Sequence, residues 1–280
     1  MRRTGRGTRA TGKSRILFSE KAAPHHWVNL AGYKWLDDNS LLWTSERSGT
    51  AQLYRWRDGK WSQLTRMAGP VANLVGGNQE KGLVYFASNA DDPLSSQVYV
   101  ADLAQPGAAP RRLTDAAFAN SAGMDKKATR LMVSRSSTLQ PPQSYLADEE
   151  GQRIAWIEEN RLDAHHPYAP FVASHVLPSF GSIKGPSGDT LYYKMLTPPN
   201  MVPGKHYPVF FEHYGGPHSQ TVTKGWGGAL AQAELDPGLG VEEVARCAEL
   251  TGAAHAAPLF NHPRSHRDRS LAEDGAIEPE

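Results

Sequence analysis

Between Tyr207 and Val222 the chain reads YPVFFEHYGGPHSQTV, a short apolar run that ends in two glycines and a proline. An apolar run closed this way is a buried strand delivering a loop, and glycines let backbone come close to a bound molecule. Where such a loop serves acyl transfer, it supplies donors to the oxyanion, and the nucleophile is a serine on a later G-x-S-x-G turn. No G-x-S-x-G occurs in the 280 residues. On local sequence alone, Tyr214 is a packed or interface tyrosine, and its neighbours His213 and His218 are loop or core histidines.

Other chemically capable side chains cluster less tightly. Histidine occurs 11 times, with adjacent pairs at His25-His26 and His165-His166. Neighbours on an extended chain point to opposite sides and do not chelate together. His262 and His266 have i, i+4 spacing, but Pro263 breaks the helix that would align them. The sequence therefore predicts no metal and no cofactor. The pairs Glu149-Glu150, Glu158-Glu159 and Glu242-Glu243 read as solvated carboxylates, and Arg47 in SERSG as a loop ion-pair residue. Cys247 is the only cysteine, which excludes an internal disulfide and any multi-cysteine zinc site.

Short alternating runs rich in Val, Leu, Tyr and Trp, separated by turn residues, must position these groups, and they predict antiparallel strands. Three runs share a pattern: SLLWTSE at 40–46, GLVYFASN at 82–89 and TRLMVSRSS at 129–137. Each is followed by a second module starting at Gln52, Gln97 or Gln143, which are 45 and 46 residues apart. That period matches one blade of a β-propeller, and each second module suits the outer half of a four-stranded blade. Asp58-Gly59 and Glu150-Gly151 fit the hairpin turns. From Asn160 to Pro178 alternation gives way to proline, as in an interdomain connection, and a hairpin turning at Gly185–Asp189 follows.

Thirty basic and 29 acidic residues leave a net charge of +1, so no global field draws the chain to nucleic acid or an anionic membrane. No apolar run approaches the ~18 residues of a membrane-spanning helix. The start MRRTGRGTRATGKSR is basic, with Arg2-Arg3 paired, but no apolar stretch follows it as in a secretion signal.

LLWTSERSG, ENRLDAHHPYAPF and above all YPVFFEHYGGPHSQTVTKGWGG resemble the bacterial dipeptidyl-peptidase IV family of the prolyl oligopeptidase class of serine peptidases, from about Ile16 to Gly228. The resemblance implies a mostly β chain, a partial β-propeller of about three blades followed by the first strands of an α/β-hydrolase domain. It implies release of N-terminal dipeptides with proline or alanine second, a peptide as partner, a homodimer as one assembly, and a periplasmic or secreted location. It assigns Tyr214 as the donor to the oxyanion; a phenol is a good neutral donor there. The family's paired glutamates and its serine, aspartate and histidine find no match in this sequence. An acylaminoacyl-peptidase or oligopeptidase piece and a noncatalytic propeller that binds protein remain as alternatives.

The expected organisation is an unstructured basic leader at 1–15, a partial propeller at 16–160, a linker at 161–178, the start of a hydrolase domain at 179–228 and an unrelated or frameshifted tail at 229–280. After KGWGG the composition shifts to Ala, Glu, Pro and Arg. The region near 241–250 is expected to form a short helix, with a polar end beyond it. Closed propellers use about 4–8 blades, so three imply a piece of a larger ring.

Overall fold

The repeat residues organise four-stranded antiparallel sheets. A computed structural model of the chain describes residues 2–7, 14–21, 32–186, 188–197, 199, 201–204, 206, 209–212, 220–227 and 245–252. The chain opens with a hairpin of β1 (Arg2–Gly7) and β2 (Ser14–Glu20). The first blade comprises β3 (Tyr33–Trp35), β4 (Leu41–Ser45), β5 (Gln52–Arg57) and β6 (Lys60–Gln63). The second comprises β7 (Val71–Asn78), β8 (Leu83–Ser88), β9 (Gln97–Asp102) and β10 (Arg111–Arg112). The third comprises β11 (Ala119–Met124), β12 (Arg130–Ser136), β13 (Gln143–Asp148) and β14 (Arg153–Glu158). Each blade pairs its strands in chain order, as hairpin connections dictate, and the second module of every repeat forms its last two strands.

The blades pack face to face. Leu42, Leu53 and Leu64 of the first blade bury against Val71, Val84 and Phe86 of the second. Val98 of the second then meets Leu131, Val133 and Tyr145 of the third. Because strand side chains alternate, Leu41, Trp43 and Ser45 point the other way, yet all five residues of β4 are buried. The cover on that side is β2. Phe18 meets the ring of Trp43 edge-on at 5.2 Å and that of Trp61 at 4.8 Å, and Glu20 accepts a hydrogen bond from Trp43 Nε1 at 2.6 Å. The leader expected to be unstructured over residues 1–15 thus contains β1 and the start of β2. Backbone pairing with the strand that covers the first blade outweighs its polar, glycine-rich composition.

One glutamine latches each blade. Gln52, Gln97 and Gln143 are 3%, 2% and 5% exposed, so their amides need internal partners. Gln52 Oε1 accepts from the Thr65 hydroxyl at 2.9 Å, and Gln97 Oε1 from the Thr114 hydroxyl at 2.8 Å. Each threonine oxygen in turn accepts from a backbone amide on the blade's third strand, Leu53 N at 2.9 Å or Val98 N at 3.0 Å. The third blade has no such threonine, and Gln143 Oε1 instead accepts from Arg135 Nε at 2.9 Å. Asp58 and Gly59 turn between β5 and β6 with φ of 49° and 81°. Between β13 and β14 only Gly151 of the expected pair is left-handed, at 85°.

Beyond the blades, Ala169–Ser174 forms a 3-10 segment. A mixed sheet follows, made of β15 (Ser179–Lys184), β16 (Thr190–Leu196), β17 (Val209–Glu212) and β18 (Ala245–Gly252), in the order β15-β16-β18-β17. β15 and β16 form the expected hairpin, closed by Gly185 N donating to Asp189 O at 2.9 Å. β18 runs antiparallel to β16 and parallel to β17. The helix expected near 241–250 is therefore corrected to a strand inside the supposedly unrelated tail. A segment lying between two strands satisfies two ladders of backbone groups, and that gain overrides local propensity. The result is a mostly β chain, three blades of a propeller followed by the first strands of an α/β sheet.

Candidate functional site

Tyr214, the expected oxyanion donor, lies outside the described residues with His213 and His218, as do His25, His26, Glu242, Glu243, His262 and His266. Residues on both sides of the segment that carries Tyr214 are described. β17 leads into it from the mixed sheet, and residues 220–227 leave it along the second and third blades.

That outgoing flank is held by backbone, charge and aromatic contacts together. Lys224 N donates to Leu94 O at 2.9 Å, and Lys224 Nζ pairs with Asp92 at 2.6 Å. Gln220 Nε2 donates to Pro93 O at 3.2 Å, and Trp226 N to the Ser136 hydroxyl at 3.2 Å. Val222 is fully buried. A Cβ at Gly225 would stand 3.2 Å from Ser136 Oγ, so glycine lets the backbone lie against the third blade.

Trp226 ends in a small aromatic cluster built from the connection after the third blade. Its ring stacks on His175 at 4.8 Å and 8°, and meets Tyr168 edge-on at 5.3 Å. The histidine tautomer follows from its partners. Thr138 O can only accept, so Nε2 of His175 carries the proton and donates to it at 3.1 Å. Nδ1 then accepts from the Tyr168 hydroxyl at 2.9 Å. Burial holds the Tyr168 phenol above its ordinary pKa, which keeps it a donor. His166 is fixed the same way: Nδ1 accepts from Tyr168 N at 3.0 Å, so Nε2 donates to Asn160 Oδ1 at 2.9 Å. Both rings have their two nitrogens committed; they orient chain and do not wait for a substrate proton.

The remaining charged candidates are structural. Glu149 pairs with Lys81 and Glu150 with Arg111, both across the boundary between third and second blades; Glu150 is solvent-exposed as expected, whereas Glu149 is largely covered. Glu159 pairs with Arg161 at 2.6 Å, and Glu158 accepts from Asn160 N at 3.0 Å. Arg47 pairs with Glu20 at 3.2 Å. His165 and His166 share no partner, and among the described residues no three His, Cys, Asp or Glu side chains are grouped to hold a metal. Among them, too, no helix is long and apolar enough to cross a membrane.

The anchoring role of Tyr168, His175 and Trp226 was not read from sequence. Its only signal was a tryptophan between glycines in KGWGG and a cluster of aromatic residues and histidines in HHPYAPF.

Comparison with known proteins gives this arrangement a context. Residues 4–142 match the family model described as the dipeptidyl peptidase IV (DPP IV) N-terminal region. The chain is 28% identical over 223 residues to dipeptidyl peptidase 4 of Trichophyton equinum, an alignment that covers 76% of this chain and 28% of the relative. It is 28% identical over 171 residues to dipeptidyl peptidase 8 of Mus musculus, covering 59% of this chain and 18% of that protein. The crystal structure of Porphyromonas gingivalis dipeptidyl peptidase 4 superposes with a TM-score of 0.75 at 17% identity, over 91% of this chain and 36% of the other, a likeness of fold. The chain thus spans less than a third of the length of these curated relatives.

Proposed function

We propose that this chain, a relative of the dipeptidyl peptidase IV-type peptidases, is the propeller-to-hydrolase segment of a bacterial serine-type dipeptidyl aminopeptidase that releases X-Pro or X-Ala dipeptides from peptide N-termini. The observation that carries this reading is the docking of residues 220–227 on the second and third blades through Lys224, Gln220 and Trp226. It ties the chain just after Tyr214 directly to the propeller, as an enzyme that admits peptide between these two parts requires.

In this reading residues 16–160 belong to the propeller, 161–178 connect the two parts, and 179–228 begin the hydrolase domain, with Tyr214 donating its hydroxyl to the oxyanion of the tetrahedral intermediate. The serine nucleophile, its histidine base and the orienting aspartate come from hydrolase sequence outside these 280 residues, which contain no G-x-S-x-G. The chain alone releases no dipeptide.

The test is transplantation. Residues 32–228 replace the matching segment of the Porphyromonas gingivalis enzyme, and hydrolysis of a Gly-Pro chromogenic amide is followed. The hybrid is expected to hydrolyse it, and Tyr214→Phe to lower kcat by about 10²–10³ with KM little changed. A folded hybrid that is inactive, or dipeptide release by the rigorously purified native chain, overturns the proposal.

A further inference from the structure

The third blade departs from its own repeat at one position. Opposite the latch glutamine, the first two blades carry a serine, Ser45 facing Gln52 and Ser88 facing Gln97, and these serines are 1% and 0% exposed. In the third blade the residue facing Gln143 is Arg135. Nothing in the repeat requires a cation there.

Arg135 is held in place by a hydrogen bond and aromatic rings, and among the described residues no acid pairs with it. Its Nε donates to Gln143, and its guanidinium carbon lies 4.0 Å from the Phe118 ring centre, 5.2 Å from that of Trp156 and 5.7 Å from that of Tyr145. Among the described residues no carboxylate or carbonyl accepts from its Nη1 or Nη2. The guanidinium lines an open cleft of about 520 Å³ with Phe118, Leu139, Arg153, Trp156, Arg161 and one acid, Glu159. Arg153 lies over Trp156 at 4.3 Å and has no acid partner among the described residues, whereas Arg161 is paired with Glu159.

The first blade shows how such a cage is completed. Arg47 stacks 4.7 Å from the Tyr54 ring and 4.1 Å from the Trp61 ring. Tyr54 and Tyr145 both stand two residues after their blade's latch glutamine. There the Glu20 carboxylate, brought in by β2, accepts from Arg47, from Trp43 Nε1 and from the Ser45 hydroxyl. The two arginines come from different positions in their repeats, but the chemistry is the same, a cation on aromatic faces presenting its remaining N–H groups to one carboxylate.

The geometry points to a carboxylate-binding site on the third blade, in which Arg135 and Arg153 take the carboxylate of a peptide while Leu139 and Phe118 receive an adjoining apolar side chain. A planar guanidinium already oriented by a hydrogen bond and aromatic stacking takes a carboxylate bidentately with little further ordering. A volume of this size suits a ligand of a few residues. The site does not depend on the peptidase reading. The carboxylate comes either from an acidic side chain or from a peptide's C-terminus, and the experiment separates the two.

Binding to the full chain is measured by calorimetry with N-acetylated tripeptides, whose blocked amines offer no other handle. The probes are Ac-Ala-Leu-Asp-amide, Ac-Ala-Leu-Ala with a free C-terminus, neutral Ac-Ala-Leu-Asn-amide, and inorganic phosphate. At least one carboxylate peptide is expected to bind about tenfold or more tightly than the neutral one, and the tighter of the two names the source. Arg135→Gln and Arg153→Gln should each weaken binding by about tenfold, and Arg135→Lys should not restore it, since an ammonium lacks the planar fork. Arg153 is exposed with a single ring contact, so its variant tests the site even if the Arg135 variant fails to fold. Equal binding of the neutral peptide, no binding by either carboxylate peptide, tighter binding of phosphate than of both, or unchanged affinity in Arg153→Gln overturns the inference.

Discussion

Replacing Gln97 by leucine removes a buried amide of similar length and tests the latch directly. Gln97 makes four hydrogen bonds: from Thr114 Oγ1 at 2.8 Å, from Asn120 Nδ2 at 3.0 Å, to Phe118 O at 2.7 Å and to Ser95 Oγ at 3.3 Å. Asn120 Nδ2 keeps Asp115 O and Phe118 O after the change, and Phe118 O keeps the Ser95 hydroxyl. The Thr114 hydroxyl loses its acceptor inside a core that water does not reach. Two short bonds at about 1 kcal/mol net each and one orphaned donor at about 1–3 kcal/mol give a loss of about 3–5 kcal/mol. Gln143→Leu loses only the bonds with Arg135 Nε and Glu159 O, beside an open cleft where water substitutes, for about 1 kcal/mol. With an m-value of about 2 kcal/mol/M, the urea midpoint should fall by about 1.5–2.5 M for Gln97→Leu and about 0.5 M for Gln143→Leu, with m unchanged. Equal shifts, or a larger one for Gln143, refute the argument that the threonine hydroxyl makes the latch.

Gly151→Ala should destabilise by about 2 kcal/mol or more, because φ is 85° and the new Cβ would stand 2.7 Å from Leu113 O. Gly59→Ala, with φ of 81° and nothing within 4 Å, should cost only the backbone strain of about 1 kcal/mol, and paired thermal melts separate the two. Trp226→Ala removes the ring that stacks on His175, and amide exchange at Lys224 should speed up severalfold while that at Val98 in the blade core is unchanged. The Tyr85 phenol is pushed up to about 12, first by burial and then by the Glu149 and Glu150 carboxylates. An unfolded tyrosine ionises near 10, so the neutral phenol's contribution is fully present below about pH 10 and is lost as pH rises toward 12. Tyr85→Phe should flatten that alkaline decline in melting temperature and leave neutral-pH stability unchanged or slightly higher, since the hydroxyl has no partner among the described residues.

The blades were legible because one face rule and one spacing repeat together. Gln52, Gln97 and Gln143 open the third strand of successive blades, and runs such as GLVYFASN end within a residue of the strands they predict. What the spacing did not contain was the source of cover at the outer face of the first blade. β2 is held by partners such as Trp43 and Trp61, β1 pairs with β2, and nothing in RRTGRG announces a strand. β18 was missed for a related reason: ARCAELTG has no local strand pattern, and its conformation is set by the two strands it joins. The docking cluster was illegible because it joins Asp92, Ser136, Tyr168, His175 and Trp226, residues far apart in sequence whose convergence depends on two blades already being in place. Tyr214 was singled out only through its motif and lies outside the described residues.

The order β15-β16-β18-β17 has a consequence for how the polypeptide is made. Every blade joins strands that leave the ribosome one after another, so it closes by local hairpins with little loop entropy to overcome. The mixed sheet instead receives β18 in the middle, between partners that end at Leu196 and Glu212. At roughly 5–20 residues per second, the edge of β16 waits on the order of several seconds before Ala245–Gly252 emerges. During that interval an unpaired strand edge faces a crowded solution beside blades that are already folded. The vulnerable moment for this sheet is therefore the interval between β16 and β18, and chaperone dependence should track the length of that interval more than the number of blades.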